Sequence, residues 1–366
     1  MNSPLVKMDN STAFYFNEDH DYDDRTSSSS SPSINVFFVT FLPLLCLLTV
    51  LANLATLIAF LKERSLREKP SDLFILSLSI ADLCDGALTM PLLTLLYVLG
   101  YWPLGELGCK ALVAASDVFI FESILMVMCI SVDRLLLVSL SYSTYVKIQS
   151  RFRVRATIAV CWIIGLVPMV IELSLWDIAK RVEPSAALID YNVYCLSPPR
   201  RIEMFSLLFF VGFVVLPVVV IAGLSLAFIL FLHRKLRKRR RIGNGEPSAA
   251  ASTVNGNVDG TSMNGDGSRG ATAARSSTKN RYLKPAITLG VLVLSMLVCM
   301  IPYCVYVIFI ELYCPRCINP SILLGLVVLT HVNSLLDPLV YSVTQTKIRN
   351  YYKSKIRRLF QIVNGL

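Results

Sequence analysis

Asn333-Ser334-Leu335-Leu336-Asp337-Pro338-Leu339-Val340-Tyr341 lies inside the apolar run 320–345, and its reading decides the fold. A run of that length suffices for a helix across a hydrocarbon core about 30 Å thick, which takes roughly 20 residues. The amide, hydroxyl, carboxylate and proline within it are not what lipid contact selects, so one side of this helix must face protein. Further apolar runs lie at about 35–61, 72–98, 107–140, 156–176, 203–232 and 285–312. In lipid the backbone must satisfy its own hydrogen bonds, so runs this long are helices; barrel strands would be about ten residues long and alternate in polarity. The fold class read from the sequence is therefore an all-α membrane protein, a bundle of seven transmembrane helices.

Composition agrees. Of 366 residues, 54% are hydrophobic and only 16% charged, against about 25% charged in soluble domains. The formal net charge of +10 comes from 35 Lys plus Arg set against 25 Asp plus Glu. These cations collect in alternate connections: Lys62, Arg64, Arg67 and Lys69; Lys147, Arg151, Arg153 and Arg155; Arg234 to Arg241; and Lys347 to Arg358 after the last run. The positive-inside rule makes those sides cytoplasmic. The surplus charge is then an orientation signal, and the absence of a separate folded domain beside the basic run argues against nucleic acid as a partner. Ten cysteines are too few in so long a chain for a disulfide framework.

Residues 1–34 form a polar, acidic tail with a glycosylation acceptor at Asn10-Ser11-Thr12, which is usable only on the lumenal side. The amino terminus is expected outside, with Phe37 to Leu61 acting as an uncleaved targeting signal. The bundle proper takes residues 35–345. Within it, 242–279 is rich in Gly, Ser, Thr, Asn and Ala and reads as a disordered third intracellular loop. Residues 346–366 alternate basic and apolar positions at helical spacing, as suits an amphipathic eighth helix on an anionic leaflet.

The landmarks, one to a helix, are Asn53, Asp82, Asp133-Arg134, Trp162, Pro217, Pro302 and the Asp337-Pro338-x-x-Tyr341 motif. In that order the chain resembles the rhodopsin-like, class A family of G-protein-coupled receptors over roughly 35–360. The resemblance implies a plasma-membrane receptor that binds an extracellular ligand and activates a heterotrimeric G protein, with arrestin and receptor kinases as further partners and no enzymatic role. It implies a disulfide between Cys109 and Cys195, and a sodium ion held by Asp82, Ser123, Asn333 and Asp337, with no other cofactor. Hard cations favour such oxygen donors; a water-filled polar network without an ion is the alternative.

The resemblance makes Asp133 and Arg134 an activation switch, the arginine held by its neighbour at rest, with Met300, Pro302 and Tyr341 as its moving parts. An interfacial charge pair is the plainer alternative. Tyr142 in the second inner loop is a further expected contact for the G protein. Several positions depart from the family: Leu135 follows Asp-Arg, Met300 and Met296 replace aromatic residues in helix 6, and Ser225 replaces a tyrosine in helix 5. Cys314 and Cys317 form a second candidate bridge.

Helix 7 has no lysine for a retinal Schiff base, and His331 stands at the matching site. Amine receptors carry an aspartate where this chain has Ser116, and Asp117 follows it, rotated by about 100° on the helix. The ligand-binding candidates are Ser116, Asp117, Ile120, Phe209, Phe210, Tyr303, Tyr306, Val327 and His331. They suit a peptide side chain or a small amine-like or lipophilic molecule. A membrane transporter or channel is the rival class, disfavoured by the odd number of runs and by the lack of an internal repeat.

Overall fold

Proline spacing shapes the helices. A proline inside a helix lacks the N–H for its own turn and pushes against the carbonyl four residues back, so the backbone widens, kinks or breaks there. The computed structural model describes residues 36–99, 101–182, 190, 191, 195, 197, 203–244, 267–313 and 320–363, and it shows both widening and breakage. The helix α1 is Val36–Lys62, α2 is Asp72–Leu99 and α3 is Gly105–Ser139. A short helix Tyr142–Ile148 then leads to α4, Arg151–Val182. The remaining helices are α5 over 203–244, α6 Gly267–Tyr313, α7 Pro320–Thr344 and α8 Thr346–Val363. No strand occurs among the described residues.

In α2 a wide, π-type turn at Asp85–Thr89 immediately precedes Pro91, and in α5 another at Val211–Val215 precedes Pro217. Each places the carbonyl that the proline ring would strike inside the widened turn. In α4 the helix breaks at Leu166, between Gly165 and Pro168. Within the wide turn of α2, Gly86 meets α1 closely: a Cβ there would come within 3.0 Å of the Thr49 methyl.

Seven of these helices are long and apolar enough to span a membrane. Around the bundle α1 packs on α2 and α7, α6 on α5 and α7, and α3 runs through the middle against α2, α4, α5 and α6. The core is continuous from Phe60 and Phe74 through Ile124, Met126 and Ile130 to Leu292, Met296 and Tyr341. Outward faces carry exposed leucines, such as Leu44, Leu51, Leu226 and Leu294, as expected of surface that meets acyl chains.

The linker expected over 242–279 is helical at both ends: α5 continues to Asn244 and α6 begins at Gly267. The Ala and Arg positions at 271–275 favour continuation of a helix over a coil. Residues 245–266 lie outside the described residues, as do Asn10, the acidic tail, Cys314 and Cys317.

Candidate functional site

At the end of the bundle that carries α8, here the basic end, Asp133 and Arg134 are both buried. An Arg134 Nη1 atom stands 3.2 Å from Asp133 Oδ2, while the Tyr145 hydroxyl donates to Asp133 Oδ1 at 2.9 Å. Tyr145 is brought there by the short helix 142–148, whose start is capped by the Ser141 hydroxyl accepting from the Thr144 N–H. Burial, and then the adjacent Asp133 carboxylate, push the Tyr145 hydroxyl well above its ordinary pKa, so it stays a donor. Lys235 on α5 donates to the Val138 carbonyl on α3 at 2.8 Å, binding the same end of α3 from another side. Tyr341 is fully buried nearby, and its hydroxyl has no hydrogen-bond partner among the described residues.

Midway along the bundle a polar network joins α1, α2, α3 and α7. The Asn53 amide donates to the Ser334 carbonyl at 2.9 Å and Ser123 donates to Asp82 at 3.4 Å. The Asn333 amide donates to Asp337 at 3.4 Å. Asp82 Oδ2, Asn333 Oδ1 and Asp337 Oδ1 are buried without a hydrogen-bond partner among the described residues. Unmet oxygens of this kind are a fitting donor set for a hard monovalent cation, or for water. No three His, Cys, Asp or Glu side chains converge as a metal site among the described residues. Trp162 of α4 donates to the Ser77 hydroxyl of α2 at 2.9 Å, giving that landmark a positioning role.

The ligand candidates fall into two groups. On α5 and α6, Phe210 meets Tyr303 edge to face at 5.6 Å, and Phe209 meets Phe213 at 4.9 Å, which in turn meets Phe121 of α3 at 5.3 Å. Ile120 packs on the central core, and Asp117 is buried on the same helix. The Ser116 hydroxyl donates to the Leu112 carbonyl one turn back, so its hydrogen goes to its own helix. Tyr306 is half-buried on α6, Met300 is buried below it, and Pro302 is exposed on the outside of that helix.

Val327 and His331 lie on α7. They line a cavity of about 10 Å³ with Leu42 and Leu45 of α1 and Met90 and Tyr97 of α2, room for about one water molecule. The His331 ring Nδ1 lies 3.0 Å from Asp85 Oδ2, and the Ser334 hydroxyl donates to the same oxygen at 3.4 Å.

The opposite end is tied covalently. A disulfide joins Cys109 at the start of α3 to Cys195. Trp102 is fully buried and its indole donates to the Gly105 carbonyl at 2.8 Å, across a turn in which Gly105 has φ +64°, a conformation that favours glycine. Glu106 accepts from the Trp176 indole at 2.9 Å and pairs with Lys180 at 2.6 Å and Lys110 at 3.1 Å.

Besides Asp72 at the start of α2, sequence reasoning passed over three buried carboxylates. Asp85 holds His331; Glu172 accepts from Ser197; and Glu122 is fully buried, with neither oxygen hydrogen-bonded among the described residues. Glu122 lies so close to α4 that a Cβ on Gly165 would fall 2.9 Å from its Oε2. The rule that singled out Asp82 and Asp117, that an ionisable side chain at membrane depth needs a reason, would have found all three.

A sequence profile described as the 7 transmembrane receptor (rhodopsin family) matches residues 52–341. The chain is 27% identical over 192 residues to the 5-hydroxytryptamine receptor 4 of Cavia porcellus, covering 50% of this chain and 49% of that protein. It is 31% identical over 193 residues to the alpha-2 adrenergic receptor of Labrus ossifagus, covering 53% of this chain and 40% of that one. The chain thus spans about half the length of the curated relatives it matches, or less.

Proposed function

The chain belongs to the rhodopsin-like family of seven-transmembrane receptors, the class A G-protein-coupled receptors, and from that premise we propose that it carries a signal from an outer ligand to a heterotrimeric G protein at its basic end. The observation that carries this reading is the state of α3: anchored by a disulfide at one end and held at the other by a breakable pair, Asp133 with Arg134, steadied by Tyr145. In this reading the basic end is cytoplasmic, the amino terminus is outside and the membrane is the plasma membrane. Release of Arg134 exposes a cation at the centre of the surface that meets the G protein. Tyr341, buried with an unmet hydroxyl, gains a hydrogen bond by turning toward that surface. A ligand acts by binding one packing of the bundle better than the other.

The ligand enters beside the aromatic cluster of α3, α5 and α6, where Phe209, Phe210 and Tyr303 offer apolar faces and Asp117 a carboxylate. The names of the matched relatives favour an amine, but Ser116 stands where an amine receptor has its aspartate, so an amine must be met by Asp117 instead. A lipophilic small molecule or a peptide side chain fits the aromatics alone. A sodium ion would take oxygens of Asp82, Ser123, Asn333 and Asp337, and when bound it supplies positive charge to a pair of buried carboxylates. Arrestin and receptor kinases are proposed partners by family. The reading involves no catalytic step, and nothing in the bundle favours transport.

The test is nucleotide exchange on purified G proteins by the receptor in lipid nanodiscs, with a panel of amines, peptides and lipophilic compounds. We expect exchange that depends on Arg134 and is lost in Arg134→Ala. Exchange that survives this substitution overturns the proposed role. An amine response unchanged by Asp117→Ala removes the amine reading at that residue.

A further inference from the structure

Between α1, α7 and α8 the structure leaves an open groove of about 420 Å³. Its wall is mostly apolar: Ala52 and Ala55 of α1 and Leu339 of α7, the last 48% exposed, with the small Ser342 of α7 beside them. Its rim is cationic: Arg349, Lys353 and Lys355 of α8. The two halves meet at the Tyr352 hydroxyl, which lies 3.1 Å from the Thr56 hydroxyl and ties α8 to α1.

The groove exists because positions 52 and 55 are alanine. Their neighbours Leu48 and Leu51 are exposed on the outward face of α1, 43% and 52% respectively, and extend the apolar wall away from the rim. Ala55 lies seven residues from Lys62, so the groove opens about 10 Å from the end of α1.

Residues 346–366 contain Lys347, Arg349, Lys353, Lys355, Arg357 and Arg358, with neither Asp nor Glu. Among the described residues the one carboxylate ion-paired to α8 is Glu68, at 3.2 Å from Lys347. Among the described residues the exposed rim cations have no carboxylate partner; Arg349 donates to the Val343 carbonyl at 3.4 Å and Lys355 lies over the Tyr351 ring. Residues 346–366 also contain no cysteine.

We propose that this groove is a binding site for one anionic glycerophospholipid, its phosphate and acidic headgroup on Arg349, Lys353 and Lys355 and an acyl chain along Ala52, Ala55 and Leu339. Charge complementarity selects the headgroup, and the apolar wall requires that the ligand bring a chain with it. The orientation proposed above puts the rim at the inner leaflet, where such lipids are found; the groove binds the same lipid in either orientation. Occupied, it braces α8 against α1 and α7.

The test is native mass spectrometry of the full chain, purified in detergent and offered equal amounts of phosphatidylserine and phosphatidylcholine with identical acyl chains. We expect one phosphatidylserine retained at least tenfold over phosphatidylcholine. Ala55→Leu, which fills the groove without touching a charge, should lower retention at least fivefold. Lys353→Gln with Lys355→Gln should do the same, whereas Arg357→Gln with Arg358→Gln, the same loss of charge away from the groove, should change it less than twofold. Ser342→Leu fills the groove from α7 and serves if Ala55→Leu does not fold, as judged by thermal unfolding.

Equal retention of the two lipids overturns the proposal. So does an effect of the Arg357 and Arg358 pair as large as that of the Lys353 and Lys355 pair, or full retention by a folded, groove-filled variant. Displacement of the lipid by an equal concentration of soluble glycerophosphoserine would show an anion site that needs no chain, and would overturn it too.

Discussion

The two ends of α3 are secured by different physics. At the disulfide end Cys109 is bonded to Cys195, and Glu106 gathers Trp176, Lys110 and Lys180 around it. At the basic end one ion pair, one tyrosine hydroxyl and one lysine-to-carbonyl bond do the holding. The first arrangement persists while the bundle is folded. The second is polar and non-covalent, so on the proposed function its members can exchange these contacts for water or a partner protein. On the same reading, a helix clamped at one end and latched at the other would turn a small shift in mid-bundle into opening at the latch.

The heaviest way to break this contrast is to remove the clamp. Cys109→Ala should cost about 2–5 kcal/mol, seen as a lower thermal midpoint and little folded protein at the cell surface. An unchanged midpoint would mean that the Glu106 cluster alone suffices. Next is the latch: Asp133→Asn removes the charge facing Arg134, a hydrogen-bonded interaction with a charged group worth about 1.5–3 kcal/mol. If the latch restrains activity, basal nucleotide exchange should rise roughly tenfold, while the thermal midpoint moves less than for Cys109→Ala.

Tyr145→Phe takes away a single donor, about 0.5–1.5 kcal/mol, and should raise basal exchange severalfold in the same assay. Smallest is Lys180→Ala at the clamped end. It breaks a partly exposed ion pair worth about 0–1 kcal/mol, and should leave basal exchange unchanged with a midpoint lowered by a degree or two at most. A basal rise from Lys180→Ala as large as that from Tyr145→Phe would erase the distinction between the two ends.

The latch was readable from adjacent residues, since Asp133 and Arg134 are neighbours in sequence and their placement needs only a long third helix. Its third member was not, because Tyr145 reaches Asp133 only once the short helix 142–148 folds back under α3. The same division holds in mid-bundle. Asp82, Asn333 and Asp337 stand out as polar residues on apolar helices, and the structure brings Asn333 and Asp337 within hydrogen-bonding distance. The pairing of Asp85 with His331 depends on how α2 is wound at the turn that starts at Asp85, and a count along a regular helix does not reveal it. The Glu106 cluster joins residues some 70 positions apart, and only packing of α3 on α4 brings them together.

The wide turns in α2 and α5 also bear on how this chain responds to change. Each extra residue in a turn advances the outer half of its helix relative to the inner half, so the two halves keep separate phase. Cysteine substitutions taken one by one along α2 and probed with a water-soluble thiol reagent should label with a period of about 3.6 residues on either side of 85–89, with a jump between the two series. An insertion or deletion of one residue near Pro91 or Pro217 would then be absorbed by restoring or doubling the wide turn. Length changes that would be ruinous in a regular helix become, at these two places, tolerable, because both halves of the helix keep their register with their neighbours.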